Sequence, residues 1–374
     1  MSWKRIIGQE RVLRLLRSAF EHDRLPHAFL FHGPRGTGKE AVAIELARTL
    51  NCPTGTWEAC GTCPSCHQMD SLQHPNIDLV FPLPTGKNEE KHHDPYEKLT
   101  ETVIQQIRDE ISAKAQDPYH PIEIKRASVI KINSIRNIKR KASMRVGSHQ
   151  RHVVIICGAE KMKADAANSL LKTLEEPSPG QVIILTTPTP DALLPTIISR
   201  CQVIRFDPIP EEEITRALVQ RELCDEETAA ALARLAEGSF HKALEYSDPE
   251  VRNRRSLVVE FMRAVYAGNT TRIMKELEPV VSARDRQEAI RFLQALEDWF
   301  HDVIAIREGR PDRIRHFDNR EAVTRFAQLF SGISCEDVLD EIEKTIEYVM
   351  GNVHLTLALV YLANWLHQRL QPPS

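Results

Sequence analysis

Short apolar runs alternate with helix-period stretches through the first two hundred residues, a rhythm that predicts a parallel sheet covered by helices. Five runs rich in Val, Ile, Leu or Phe fit strands buried on both faces: Ala28 to His32, Ile77 to Phe81, Val153 to Cys157, Val182 to Thr187 and Val203 to Phe206. Ahead of the first, Ile6 to His22 predicts a helix with Ile7, Val12, Leu15, Leu16 and Phe20 roughly on one face. Between Pro82 and Ile130 a stretch rich in Lys, His, Glu and Pro breaks the rhythm and predicts an insertion of loops and surface helix, part of it mobile. Beyond Pro208 strand signals stop. Glu211 to Ser247 reads as a short helical module around the turn Glu237-Gly238-Ser239, and the remainder reads as helix. There Val338, Ile342, Ile346 and Val349 recur at helical spacing, and Leu355 to Leu370 carries an apolar run with Trp365 and Leu366 near its end.

The expected organisation is an α/β domain over residues 1–207 with an insertion at 82–130, a helical lid over 208–247, and an all-α domain over 248–374. An all-α domain of this length without a chemistry-bearing cluster suits a scaffold for association, and a self-contained bundle fits the pattern nearly as well. The 374 residues, 42% hydrophobic and 27% charged, suffice for two or three globular domains with cores of their own. A net charge of −3 argues against a surface that grips nucleic acid everywhere, so any DNA contact falls to a local patch or to an assembly. Lys139, Arg140, Lys141 and Arg145 fall on a predicted helix from Asn133 to Arg145, a basic face that suits DNA phosphate or plain solvation. No apolar run approaches the roughly 18 residues that cross a bilayer, and Met1-Ser2-Trp3-Lys4-Arg5 leads into an amphipathic helix rather than a signal segment. The expectation is a cytoplasmic protein with no membrane partner.

Gly33-Pro34-Arg35-Gly36-Thr37-Gly38-Lys39 follows the first predicted strand and opens a helix from Glu40 to about Leu50. Glycines let successive N–H groups turn toward a phosphate chain, the helix N-terminus adds partial positive charge, and a lysine here reaches the outer phosphates. Gly33, Gly36, Gly38 and Lys39 are the candidate nucleotide-binding residues. Hydrolysis further needs a hydroxyl after the lysine to ligate Mg²⁺, and acids at the end of a later strand to hold the metal and polarise water. Here Glu40 follows Lys39, and the third strand ends Cys157-Gly158-Ala159-Glu160. The prediction is a degenerate site without hydrolysis, which leaves ATP binding in doubt. Glu160 takes over the acid's role only if a bulge shifts its strand.

Of eight cysteines, Cys52, Cys60, Cys63 and Cys66 crowd into C-x7-C-x2-C-x2-C, with Pro53, Gly55, Gly61 and Pro64 supplying turns. Four such thiolates can meet one Zn²⁺ at about 2.3 Å, closing its coordination shell and leaving a structural rather than a catalytic metal. Free or disulfide-bonded thiols are the alternative. His67 is a spare ligand, whereas Cys157, Cys201, Cys224 and Cys335 read as small buried hydrophobes.

Asn168-Ser169-Leu170-Leu171-Lys172-Thr173-Leu174-Glu175-Glu176-Pro177 and Leu194-Pro195-Thr196-Ile197-Ile198-Ser199-Arg200-Cys201 together resemble the clamp-loader subunits of bacterial DNA polymerase III, members of the AAA+ superfamily. With Ile7-Gly8-Gln9-Glu10, the phosphate loop and the cysteine cluster, the resemblance covers about residues 3 to 245. It implies an AAA+ phosphate-loop sheet domain with a small helical lid, followed by an all-α collar. It also implies that Arg200 is an arginine finger acting in trans on the γ-phosphate held by a neighbouring subunit, a role worth about 10³ to 10⁵ in rate for GTPase fingers. Without the motif, a lone arginine there reads as an ordinary ion pair. The implied partners are tau/gamma and delta subunits, with the sliding clamp and primed DNA reached through the assembly. Hydrolysing tau/gamma relatives carry a hydroxyl at position 40, Asp-Glu at 157 and 158, and arginine at 241. Glu40, Cys157, Gly158 and His241 depart from that pattern and favour the delta-prime branch, an accessory part of a polymerase holoenzyme, over an active tau/gamma-type ATPase. A stand-alone zinc-bearing DNA-binding protein is a third reading, and Glu175 and Glu176 read as a solvated helix end without catalytic duty.

Overall fold

The computed structural model describes residues 3–86, 88–90, 93–143, 151–282, 286–310, 314–351 and 353–371. Backbone contacts divide the chain into two units, Met1–Ala217 with Ala236–Lys242, and Leu218–Leu235 with Ala243–Ser374. Of the segment expected as a lid, 208–217 and 236–242 belong to the first unit and 218–235 and 243–247 to the second.

Long β-branched and aliphatic runs become a five-stranded parallel sheet in the first unit. Its strands are β1 (Ala28–His32), β2 (Ile77–Val80), β3 (His152–Cys157), β4 (Gln181–Thr187) and β5 (Gln202–Arg205), in the spatial order β2-β3-β4-β1-β5. Each lies within one residue of its predicted ends. β3 and β4 are buried along their whole length, which is why their sequences do not alternate. β5 corrects the expectation of strands covered on both faces: it is an edge strand, with Gln202, Val203 and Arg205 exposed and Ile204 buried. The strand bearing the phosphate loop lies between β4 and β5, inside the parallel sheet that the sequence implied.

The helices of this unit are α1 (Glu10–Glu21), α2 (Lys39–Asn51), α3 (Pro64–Asp70), α4 (Glu101–Gln116), α5 (Ile132–Ser143), α6 (Ala164–Glu175) and α7 (Pro195–Ile198). α1 starts later than predicted because Gly8 and Gln9 both have positive φ, 61° and 65°, and the Gln9 amide donates to the carbonyl oxygens of Thr37 and Asp207 instead. Leu15 lies off the packed face, while Val12 and Leu16 are fully buried. On one side of the sheet Leu30, Ile156, Ile183 and Leu185 pack with Ile135 and Ile138 of α5 and Leu170 and Leu174 of α6, each such side chain contributing roughly 1.5–3 kcal/mol. The insertion is organised around α4, and Glu89 ties it to the start of α5 through Lys131 at 2.7 Å and Asn133 at 2.6 Å.

α8 (Glu211–Gln220) and α10 (Phe240–Ser247) carry the chain between the units, with α9 (Glu226–Leu235) in the second. The second unit continues with α11 (Pro249–Tyr266), α12 (Thr270–Ser282), α13 (Arg286–Arg307), α14 (Arg320–Leu329), α15 (Cys335–Met350) and α16 (Leu355–Leu370). No strand occurs among its described residues. Asp248 caps α11, its carboxylate accepting from Glu250 N at 2.8 Å, with Pro249 at the first helical position. Val338, Ile342 and Val349 pack with Phe261, Phe292, Trp299 and Leu362 as their spacing predicted, and Ile346 lies half-buried at the edge of that core. Among the described residues, no helix is long and apolar enough to cross a membrane.

Candidate nucleotide site, arginine and metal centre

β1 delivers His32 directly into the phosphate loop, and α2 begins at Lys39. Gly36 and Gly38 have φ of 75° and 89°, and both are crowded. A Cβ on Gly36 would collide with Ser239 and His241, and one on Gly38 would lie 3.0 Å from the Tyr119 hydroxyl. These glycines thus serve close backbone approach as well as any phosphate. Phe240 N also donates to Gly36 O at 3.0 Å, holding the loop from outside.

Lys39 is turned onto its own loop. Its ammonium donates to Gly33 O at 2.7 Å and Pro34 O at 2.5 Å. Burial pulls its pKa down to about 8, against the opposing influence of Glu40 and Glu160. Glu40 is paired with Lys114 of α4, a lysine whose side chain is 2% exposed and which also donates to His120 O at 2.7 Å. Burial alone would raise the Glu40 pKa, but Lys114 holds it below the usual carboxylate value. The thiol of Cys157, at the end of β3, hydrogen-bonds to Glu40, and burial pushes its own pKa well up.

β3 pairs with β4 in unbroken register from His152↔Gln181 to Cys157↔Thr186, so the bulge that Glu160 needs is absent from this strand. Glu160 sits beyond it in a 3-10 turn, Ala159–Lys161. A cavity of about 190 Å³ remains around the loop, lined among others by Arg35, Lys39, Lys114, Tyr119, Glu160 and His241.

Arg200 follows α7 and meets the end of α6. Its guanidinium donates to Glu175 Oε1 at 2.7 Å and to Thr196 O at 2.9 Å, with about a third of the side chain exposed. The leucines of the Leu170 to Glu175 string face the sheet core while Glu175 faces Arg200. Burial raises the pKa of neighbouring Cys201 to about 11.

Cys52, Cys60, Cys63 and Cys66 bring their sulfurs within 4.8 Å of one another. The Cys60–Cys66 separation, 3.9 Å, matches the edge of about 3.8 Å for a tetrahedron with 2.3 Å metal–sulfur bonds. All four are free thiols, and Cys66 is fully buried. Cys63 also caps α3, its sulfur accepting from Cys66 N, and Cys60 N donates to Cys52 Sγ at 3.3 Å. Arg48 braces this shell through Cys66 O at 3.2 Å and Asp70 at 2.7 Å. The donor set fits a soft metal in a closed site. His67 is not part of the cluster and instead lies 3.8 Å from Asp70.

On α5, Arg140 pairs with Asp94 at 2.6 Å and Lys141 with Asp78 at 2.5 Å, so two basic groups of the expected phosphate-binding face already have acidic partners. Arg145 lies outside the described residues.

The sequence model of the family described as DNA polymerase III, delta subunit, matches residues 8–210. The chain is also 30% identical over 332 residues to subunit delta' of Bacillus subtilis, spanning 87% of each protein. The chain belongs to the delta and delta-prime family of DNA polymerase III. It is a delta-prime-like clamp-loader subunit. Similarity extends to Escherichia coli subunit tau, at 30% identity over 66% of this chain but only 32% of tau. A gamma subunit-related protein of Thermotoga maritima superposes with a TM-score of 0.46 at 15% identity, covering 96% of this chain and 99% of that one.

Two residues of this delta-prime-like site were missed in the sequence. Lys114 lies in the insertion, but it stands seven residues after buried Ile107 on the same helix. That spacing, two turns on one face, was the available signal for a lysine pointing inward. Glu175 is exposed, as expected of a solvated helix end, but nothing in the order of residues pairs it with Arg200.

Proposed function

We propose that this delta-prime-like subunit does not hydrolyse ATP itself and instead supplies Arg200 in trans to the ATP site of a neighbouring tau/gamma-type subunit. The observation that carries the reading is the Glu40–Lys114 pair, closed from the strand side by Cys157. Glu40 follows Lys39, where a hydroxyl would ligate the cation, and Cys157 and Gly158 occupy the end of β3, where acids would polarise water. An ammonium ion partnering Glu40 leaves no oxygen ligand for magnesium at that position. Arg200 retains partial exposure, and its Glu175 and Thr196 contacts hold the guanidinium while one edge stays accessible to solvent. Its chemistry is that of a fixed positive charge opposite developing phosphate charge.

Residues 1–207 form the AAA+ domain, 208–247 the lid and 248–374 the collar in this reading. The collar associates with tau/gamma and delta subunits, and the assembly loads the sliding clamp onto primed DNA. Cys52, Cys60, Cys63 and Cys66 hold one structural zinc ion, which when bound supplies a crosslink between the end of α2 and α3. The chain's own residues bury and orient the four thiols.

The test is a clamp loader reconstituted with wild-type or Arg200→Ala chain. The variant assembles normally, slows turnover at the facing site by about 10³-fold or more, and impairs clamp loading. Unchanged hydrolysis and loading would remove the finger. ATP turnover by the isolated chain, abolished by Lys39→Ala, would overturn the non-hydrolysing assignment in favour of a tau/gamma-type motor.

A further inference from the structure

We infer that residues 114–123 of the insertion are a built-in occupant of the phosphate-loop site, in which the Lys114 ammonium replaces a divalent cation and Tyr119 fills space beside the loop. The inference rests on the non-hydrolysing reading and says what has taken the nucleotide's place.

Lys114 is the last turn of α4 aimed inward. Its 2% exposure and its bonds to Glu40 and His120 O leave the charge fully paired. A buried ammonium is tolerated only with such partners, and removing one strands the other in a poorly solvated site. Glu40 is the side chain that the cation would have to approach, so the pair neutralises internally what magnesium neutralises in a working site.

Beyond α4 the chain turns back on itself. His120 N donates to Asp117 O at 2.9 Å, the His120 ring lies 3.0 Å from Glu110, and Glu123 N donates to the same carboxylate at 3.1 Å. This turn presents Tyr119, itself 5% exposed, to the loop. The tyrosine hydroxyl accepts from Ile7 N at 2.8 Å, and its ring stands edge-on to Phe240 with centroids 5.0 Å apart. The same ring closes over Gly38, the N-cap of α2. From the other side Arg5 donates to Gln116 O at 2.5 Å. The segment is thus fastened to Arg5 and Ile7 near the N-terminus, to the loop and to Phe240, all within one unit.

Size and charge both exclude a metal nucleotide. The remaining cavity of about 190 Å³ falls below the range of about 300–1,000 Å³ usual for small-molecule sites. Moving Lys114 aside to enlarge it would expose the triphosphate to the bare Glu40 carboxylate, a like-charge contact. Lys39 already spends two of its three donors on Gly33 O and Pro34 O.

The test uses the full-length chain and titrates ATPγS by calorimetry, in Mg²⁺ and in EDTA. Wild type shows no Mg²⁺-dependent binding, and the Glu40→Thr/Lys114→Ala double variant, which restores a hydroxyl and opens the space, binds MgATPγS at least about tenfold more tightly. Independently, Glu40→Gln and Lys114→Met together lower the melting temperature by less than the sum of their separate losses, because either change alone already breaks the pair. Wild-type binding of MgATPγS as tight as the double variant's, a folded double variant that gains nothing, or additive losses in the melting cycle would overturn the proposal. Wild-type ATP turnover would instead sink the non-hydrolysing reading, whereas a silent wild type with a silent double variant leaves that reading intact and removes the occupant alone.

Discussion

At the scale of single residues, Lys39 shows how a retained motif can persist under a changed environment. Its ammonium is buried against loop carbonyls and its pKa drops to about 8 through desolvation. The unfolded chain keeps this proton to about pH 10.4, so between about pH 8 and 10.4 the unfolded state binds more protons and stability rises with pH. Wild type is thus expected to gain stability relative to Lys39→Met across that window, by at most about 3 kcal/mol. Parallel melting curves at every pH would refute the buried, strained charge. Arg200 makes the opposite case, an arginine held by two contacts that still leaves about a third of its side chain exposed. Glu175→Ala removes one of its two anchors, and in a reconstituted loader it is expected to lower turnover less than Arg200→Ala, with Glu175→Asp recovering part of the loss. An effect as large as that of Arg200→Ala would mean that Glu175 acts on the phosphate site by another route. The missing metal ligands were legible in the sequence because identity alone, Glu40 and Cys157, decides them. Their replacement was not, because Lys114 lies 74 residues away from Glu40 and only the fold joins them.

At the scale of elements, what could be read depended on how completely an element is buried. β3 and β4 are apolar throughout and were found nearly to the residue, whereas β5 was wrongly read as covered on both faces because Val203 and Ile204 differ in exposure, not in chemistry. α1 was extended too far since the Ile7 apolar signal continues across Gly8 and Gln9, where backbone dihedrals break the helix. α3 is a different problem. Seven residues are too few to hold a helix alone, yet Cys63 caps it and Cys66 lies within it. Structural zinc, with apparent binding of roughly 10 kcal/mol or more in small zinc modules, far exceeds the cost of about two turns. We expect about one metal equivalent per chain, and Cys63→Ser or strong chelation to release it with loss of order around α3. Trp57, in the same loop and stacked on Trp3 at 4.2 Å, provides the readout through a change in tryptophan fluorescence. Metal-free protein with native fluorescence and full stability would exclude the structural role.

For the whole molecule, each unit has a core of its own, and among the described residues of the second no cluster of metal-ligating side chains is found. Its helices were legible from spacing, as with Val338 and Ile342, which are both fully buried. What covers the outside was not, because an apolar residue at helical spacing looks alike whether it packs inward or outward. In α15 and α16, Val349, Leu359 and Leu362 lie in the core, but Tyr348, Met350, Leu357 and Tyr361 remain exposed, Leu357 by 65%. Exposed apolar groups at the end of α15 and the start of α16 are what the proposed collar would need to meet its partners. Because Leu357 contributes little to its own core, Leu357→Asp should change the stability of the isolated chain by no more than about 0.5 kcal/mol. The same change buries a charge if the residue sits in a subunit interface. Co-assembly with tau/gamma-type and delta subunits, followed by size-exclusion chromatography, is then expected to weaken by more than about tenfold, while melting of the free subunit stays put. Assembly at wild-type strength would move the interface to another face of the all-α unit, and a collapse of the isolated chain would show that Leu357 belongs to the fold after all.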